Sequence, residues 1–66
     1  MAVLKVIEVL SNSDSSWEDA TKKAVKHAAK SVKNIRSVYV KEQSAIVKND
    51  EVTEFRVNIK LTFEVE

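Results

Sequence analysis

From Val52 to Glu66 the chain alternates without interruption: Phe55, Val57, Ile59, Leu61, Phe63 and Val65 are apolar, while Glu54, Arg56, Asn58, Lys60, Thr62 and Glu64 are polar. A period of two over that length predicts one long β-strand with two chemically distinct faces. Fifteen residues at roughly 3.4 Å each span about 50 Å. A compact chain of 66 residues has a radius of gyration near 11 Å, hence a diameter of about 28 Å. Such a strand either bends sharply or is buried against other copies of the chain, so oligomerisation is the first expectation.

Composition narrows the ways a chain this small can be stabilised. Sixty-six residues make a single domain, 1–66, that buries only about 60% of its unfolded surface. There is no cysteine, so neither a disulfide nor a thiolate metal site can staple the fold. One histidine, His27, excludes the usual multi-histidine zinc cluster. Association between copies is the device that is left. No segment approaches the roughly 20 apolar residues of a membrane span, and Met1 to Leu10 lacks the basic, apolar and small-residue order of a signal peptide. A cytoplasmic protein is expected. The net charge of +1 supplies no global field for nucleic acid. The absence of Gly and Pro removes Gly-rich phosphate loops and flexible linkers, so every turn must use Asn, Asp or Ser.

Ala2 to Leu10, rich in Val, Ile and Leu, reads as a strand that ends in a turn at Ser11-Asn12-Ser13-Asp14. A capping box follows, with the Ser15 hydroxyl accepting from the Glu18 N–H. Trp17, Ala20, Thr21, Ala24, Val25, Ala28, Ala29, Val32 and Ile35 then recur at helical spacing, with Lys22, Lys23, Lys26, Lys30 and Lys33 opposite. The small alanine-rich face lets a sheet approach the helix axis closely, Trp17 packs at the helix start, and Asn34 suits a left-handed exit. Ile35 to Lys48 reads as a second strand, with Val38, Val40 and Ile46 on one face and Tyr39, Ala45 and Val47 on the other. Its alternation weakens from Lys41 to Ser44, where a bulge or bend is expected. Asn49-Asp50 closes a tight hairpin. The predicted architecture is α+β with order β-α-β-β, a three-stranded antiparallel sheet wrapped on one amphipathic helix. The first strand pairs either beside the last or at the hairpin's other edge.

Lys5 to Val9 (K-V-I-E-V), Ser16 to Ala20 (S-W-E-D-A), Ser31 to Ile35 (S-V-K-N-I) and the ending Ile59 to Val65 together resemble the dodecins, over the whole chain. The resemblance implies a hollow homo-dodecamer of cubic symmetry whose members bind or store flavins. It also implies a site: a Trp at the start of the second strand stacks on the isoalloxazine ring, and a Gln in the third strand binds the ring's polar edge. Those positions fall on Ser37 and Arg56. Ser37 has no π face to stack, and Arg56 donates hydrogen bonds but cannot accept one. Tyr39, two residues beyond Ser37 on the same strand face, is the nearby aromatic, with interface packing as its plainer role.

The S-W-E and N-I-R strings are similar to a dodecin subgroup that lacks the flavin Trp and includes calcium-binding members. Calcium takes six to eight oxygens, and the acids available for it, Asp14, Asp50, Glu51, Glu54, Glu64 and Glu66, have no EF-hand spacing. A site shared across a symmetry axis is the version the sequence allows. Arg56 could bind an anion, although its setting between Glu54 and Asn58 suits a cross-strand or cross-subunit ion pair. His27 borders the apolar stripe with no carboxylate at helical spacing to make it a catalytic pair, and no acid-base constellation is present, so no enzyme is expected. The expectation is a non-enzymatic shell binding a small molecule or ion between subunits, with standard flavin (FMN or riboflavin) storage disfavoured. A calcium-binding or purely structural shell is the alternative, and neither membrane nor specific nucleic-acid partners are expected.

Overall fold

Alternation, turn residues and one amphipathic run resolve into four elements in the computed structural model, which describes residues 2–65. These are β1 (Val3–Ser13), α1 (Trp17–Ala28), β2 (Ile35–Lys48) and β3 (Glu51–Val65). Glu66, the last residue of the alternating run, lies outside the described residues. The sheet order is β1-β3-β2, with both outer strands antiparallel to β3. Of the two places open to the first strand it takes the one beside β3, with Val3 opposite Val65 and Ser13 opposite Phe55. The long strand keeps its length: the molecule measures 50 × 20 × 13 Å, and its radius of gyration is 13.5 Å, against about 11 Å for a compact chain of this size.

The helix packs its small face on the odd-numbered side of β3. Ala20 and Ala24 are buried against Val57, Ile59 and Leu61, with Ile7, Val9, Trp17, Val25, Ala28 and Ile35 partly buried around them. Alanine at the two central contacts removes the side-chain bulk that would otherwise hold helix and sheet apart, so three branched residues of the middle strand become fully enclosed. Trp17 fills one end. Its indole N–H donates to the Ser44 carbonyl at 2.8 Å, and its ring meets Phe55 edge-on at 5.0 Å between centroids, an arrangement the aromatic quadrupoles favour.

Three local features differ from the sequence expectation. The first strand runs to Ser13 instead of stopping at Leu10, because β3 offers pairing partners as far as Phe55 and so meets the backbone needs of three polar residues. The helix cap is Ser16, accepting from the Asp19 N–H at 2.9 Å. The Ser15 hydroxyl instead donates to Asp14 Oδ1 at 3.2 Å. The helix ends at Ala28, and Ala29 is its exposed cap; the apolar spacing that seemed to carry it to Ile35 arises because Val32 and Ile35 pack down after the helix has unwound. Tight bonds from Lys30 and Ser31 back to His27 and Ala28 make that exit. Asn34 (φ 61°), Asn49 (φ 52°) and Asp50 (φ 64°) then take the left-handed conformations that a glycine-free chain must place on Asn or Asp.

The weak alternation in β2 is a bulge. The register slips between Val40 and Glu42, so Lys41 and Glu42 together face Asn58 of β3. One extra residue reverses the parity of the strand from Gln43 to Ile46, beyond which the register shifts again. Val38, Val40, Gln43 and Ala45 oppose the helix-side residues Leu61, Ile59, Val57 and Phe55. Ile46, expected beside Val38 and Val40, instead opposes Glu54 on the face away from the helix, and Ala45 takes the helix side.

Between β1 and α1, the buried Ser13 hydroxyl donates to Asp19 Oδ2 at 2.6 Å, and Lys23 pairs with the same oxygen at 3.1 Å. Both favour the ionised carboxylate, the Ser13 bond most, and hold Asp19 below the usual aspartate range. A lowered folded-state pKa adds stability above the unfolded-state value near 3.8 and loses it as pH falls through the folded one. Melting temperature followed from about pH 5 to pH 2 should therefore fall less steeply for Asp19→Asn than for the parent. Parallel curves would show that this group is not linked to folding.

Candidate functional site

The face of the sheet away from α1 collects the residues the sequence singles out. Along β3 it presents Glu54, Arg56, Asn58, Lys60 and Thr62; β1 contributes Leu4, Val6, Glu8, Leu10 and Asn12, and β2 contributes Ser37, Tyr39, Glu42, Ser44 and Ile46. Leu4, Val6, Leu10 and Tyr39 are all more than half exposed. The result is a polar median strip with apolar flanks.

Ser37 and Tyr39 sit together at one end, opposite Thr62 and Lys60. Ser37 also borders a shallow groove of about 200 Å³ formed with Val25, Ile35, Arg36 and Val38. Arg56 lies six residues further along β3, opposite Asn12 on one side and Ser44 on the other, which is roughly 20 Å from the Thr62 level. The sheet thus brings Ser37 and Tyr39 together and holds Arg56 apart from them. A small ligand touching both ends would need residues of more than one copy. The Arg56 Nε–H donates to Asn12 Oδ1 at 2.9 Å, so within one copy Arg56 meets a neutral amide across the strands and not the carboxylate of a cross-strand ion pair.

A second group on this face was not singled out from the sequence. Lys41, at the bulge, reaches across β3 to Glu8 on the far strand at 3.6 Å. Glu8 is held below the usual glutamate range, first by the nearby Asn58 side-chain amide and then by Lys41. Asn58 Oδ1 is buried with no hydrogen-bond partner, the one such side-chain atom among the described residues. The available signals were Glu8, the only acid of the first strand, and the break in alternation at Lys41; pairing them required knowing that β3 lies between.

The acids considered for calcium separate to the two ends of the molecule. Asp14, Asp50, Glu51 and Glu54 lie at the hairpin end, and Glu64 lies at the other, paired with Arg36 at 3.2 Å. Glu66 is outside the described residues. Among the described residues no group of three or more His, Asp or Glu side chains is placed to hold a metal ion. Calcium takes six to eight oxygens, and among the described residues the carboxylates of one copy are not gathered to supply them. His27 is exposed on α1, at the rim of a groove of about 360 Å³ between helix and β1 that is lined mainly by Ile7, Val9, Leu10, Ala24, Ala28 and Val32. No described helix is long and apolar enough to cross a membrane.

An open-faced antiparallel sheet carrying one helix, with its candidate ligand residues split between the two ends of a single copy, defines a small domain built to work in company. The family model described as Dodecin matches residues 3–66, and the chain belongs to the dodecin family. It is similar to the calcium dodecin of Mycobacterium tuberculosis, 35% identical over 65 residues that cover 98% of this chain and 92% of that protein. The crystal structure of that calcium dodecin, described as having a novel calcium-binding site, superposes with a TM-score of 0.84 at 34% identity, covering 97% of this chain and 91% of the other. A point mutant of the Thermus thermophilus dodecin gives a TM-score of 0.94 at 26% identity, covering 100% and 98%.

Proposed function

We propose that the chain assembles into a hollow homo-dodecamer, a non-enzymatic shell that binds a small ligand or ion at sites shared between subunits, with calcium as the favoured occupant. The observation that carries this reading is the division of the site. Ser37 and Tyr39 stand at one end of the open face and Arg56 at the other, while the hairpin carboxylates of Asp50, Glu51 and Glu54 form no ion pair among the described residues. Each group is a fraction of a site, and closed symmetry is the means by which one chain supplies the remainder. The calcium preference is supported by the 35% identity to a calcium dodecin and by Ser37, which offers a flavin ring nothing to stack on.

Surface area supports the assembly. The chain exposes 4987 Å², whereas a monomeric protein of 7.5 kDa exposes about 4,250 Å². Calorimetric titration of the assembled particle with calcium at neutral pH, with magnesium as the comparison, is expected to give saturable heat for calcium and far weaker binding of magnesium, whose small octahedral shell fits shared carboxylates poorly. No calcium heat would leave a structural shell as the function.

A further inference from the structure

We propose that the groove between α1 and β1 binds a linear amphipathic anion, an alkyl carboxylate of medium chain length. This goes beyond the shared sites proposed above, because every residue lining the groove comes from one copy. Its volume of about 360 Å³ lies within the range of small-molecule sites, which begins near 300 Å³. The position of the helix accounts for the space. Ala20 and Ala24 are buried against β3, the middle strand, so α1 sits over the centre of the sheet, and Ala28 is too short to close the gap to the outer strand β1.

The floor of the groove is aliphatic: Ile7 and Val9 come from the strand, Ala24 and Ala28 from the helix, and Val32 from the segment after it. The strand side runs from Ile7 to Ser11, a length of about 13 Å. No aromatic side chain lines it, so a flat ring finds nothing to stack on. An extended alkyl chain, in contrast, can lay its methylenes along both walls and remove them from water.

The rim selects the sign of the head group. Its charged or titratable residues are Lys23 and His27, one turn apart on the same side of α1, and no acid lines the groove. Glu8, between Ile7 and Val9 in the chain, belongs to the opposite face of the sheet, where Lys41 reaches it. Lys23 pairs with Asp19 at 3.1 Å, and the charge of Asp19 is met by the Ser13 hydroxyl as well. An ammonium carries three donors and an imidazole at least one N–H, so Lys23 and His27 both have hydrogen bonds left to give. His27, Lys26 and Lys30 form no ion pair among the described residues. A carboxylate at this rim gains charge-assisted hydrogen bonds, and an ammonium meets repulsion.

Calorimetric titration of the assembled particle with decanoate, decanol and decylammonium tests the assignment. Decanoate is expected to bind saturably, and at least roughly tenfold more tightly than decylammonium, which places the opposite charge on the same chain. His27→Glu, at an exposed position, should weaken decanoate by about fivefold and leave decanol within about twofold. Ala28→Leu, which fills the groove, should abolish decanoate and decanol binding with particle mass and circular dichroism unchanged. Absence of saturable decanoate heat would overturn the site. Equal affinity for decanoate and decylammonium, or no effect of His27→Glu, would overturn the selection of an anion. Decanoate binding undiminished in Ala28→Leu would move the ligand to another apolar surface and overturn the assignment of this groove.

Discussion

Light scattering on the eluting protein is expected to give about 90 kDa, twelve times the 7.5 kDa of one chain. The fully enclosed part of the single copy consists of two alanines and three branched residues. At about 25 cal/mol per Å² of apolar surface, a core of that size leaves little margin over the entropy of ordering the chain. Among the described residues ten large apolar side chains are meanwhile exposed, from Val3 through Val65. Stability should thus be a property of the particle, and the melting temperature should rise with protein concentration. A stable 7.5 kDa species would contradict the assembly and every shared site built on it.

Riboflavin or FMN titrated with the protein is expected to keep its fluorescence nearly unquenched. Stacking on an aromatic contributes about 0.5 to 1.5 kcal/mol beyond the area buried, and at Ser37 that contribution is absent from every copy. Arg56, bound to Asn12, supplies no acceptor for a ring edge that needs both donor and acceptor. The double variant Ser37→Trp with Arg56→Gln is expected to restore quenching, with affinity improved by at least a hundredfold over the parent. Micromolar or tighter quenching by the parent would show that Tyr39, or another group of the open face, replaces the missing Trp.

The elements most legible in the sequence were those governed by local chemistry. The uninterrupted alternation of β3, the small-residue stripe of α1, the glycine-free turns at Asn34 and Asn49-Asp50, and the irregularity at Lys41 each have a short-range cause. What escaped depends on pairing across distance. Ser11 to Ser13 carry strong turn signals and still form strand, since β3 provides the partners. The apolar spacing through Val32 and Ile35 mimics a longer helix because packing against a sheet rewards the same period after the helix ends. Ile46 changed faces through a single inserted residue, which a period of two cannot anticipate without knowing the bulge position. Ser37, Tyr39 and Arg56 could be placed on the second and third strands from the sequence, but their separation along the sheet could not, and neither could the cluster of Glu8, Lys41 and Asn58, which spans all three strands.

The position of β3 also governs when the chain can fold. β1 and β2 run parallel with a vacant lane between them, and no backbone bond of the sheet joins one to the other. A nascent chain emerging from the ribosome has made both outer strands and the helix before the strand that unites them exists. No two strands within the first fifty residues bond to each other, so the sheet closes only through β3, locally to β2 across the hairpin and over a long sequence separation to β1. Until β3 is in place the edges of β1 and β2 that it joins are unpaired, and both strands carry charged residues, Lys5 and Glu8 on one and Lys41 and Glu42 on the other, of the kind that disfavours pairing with a second chain.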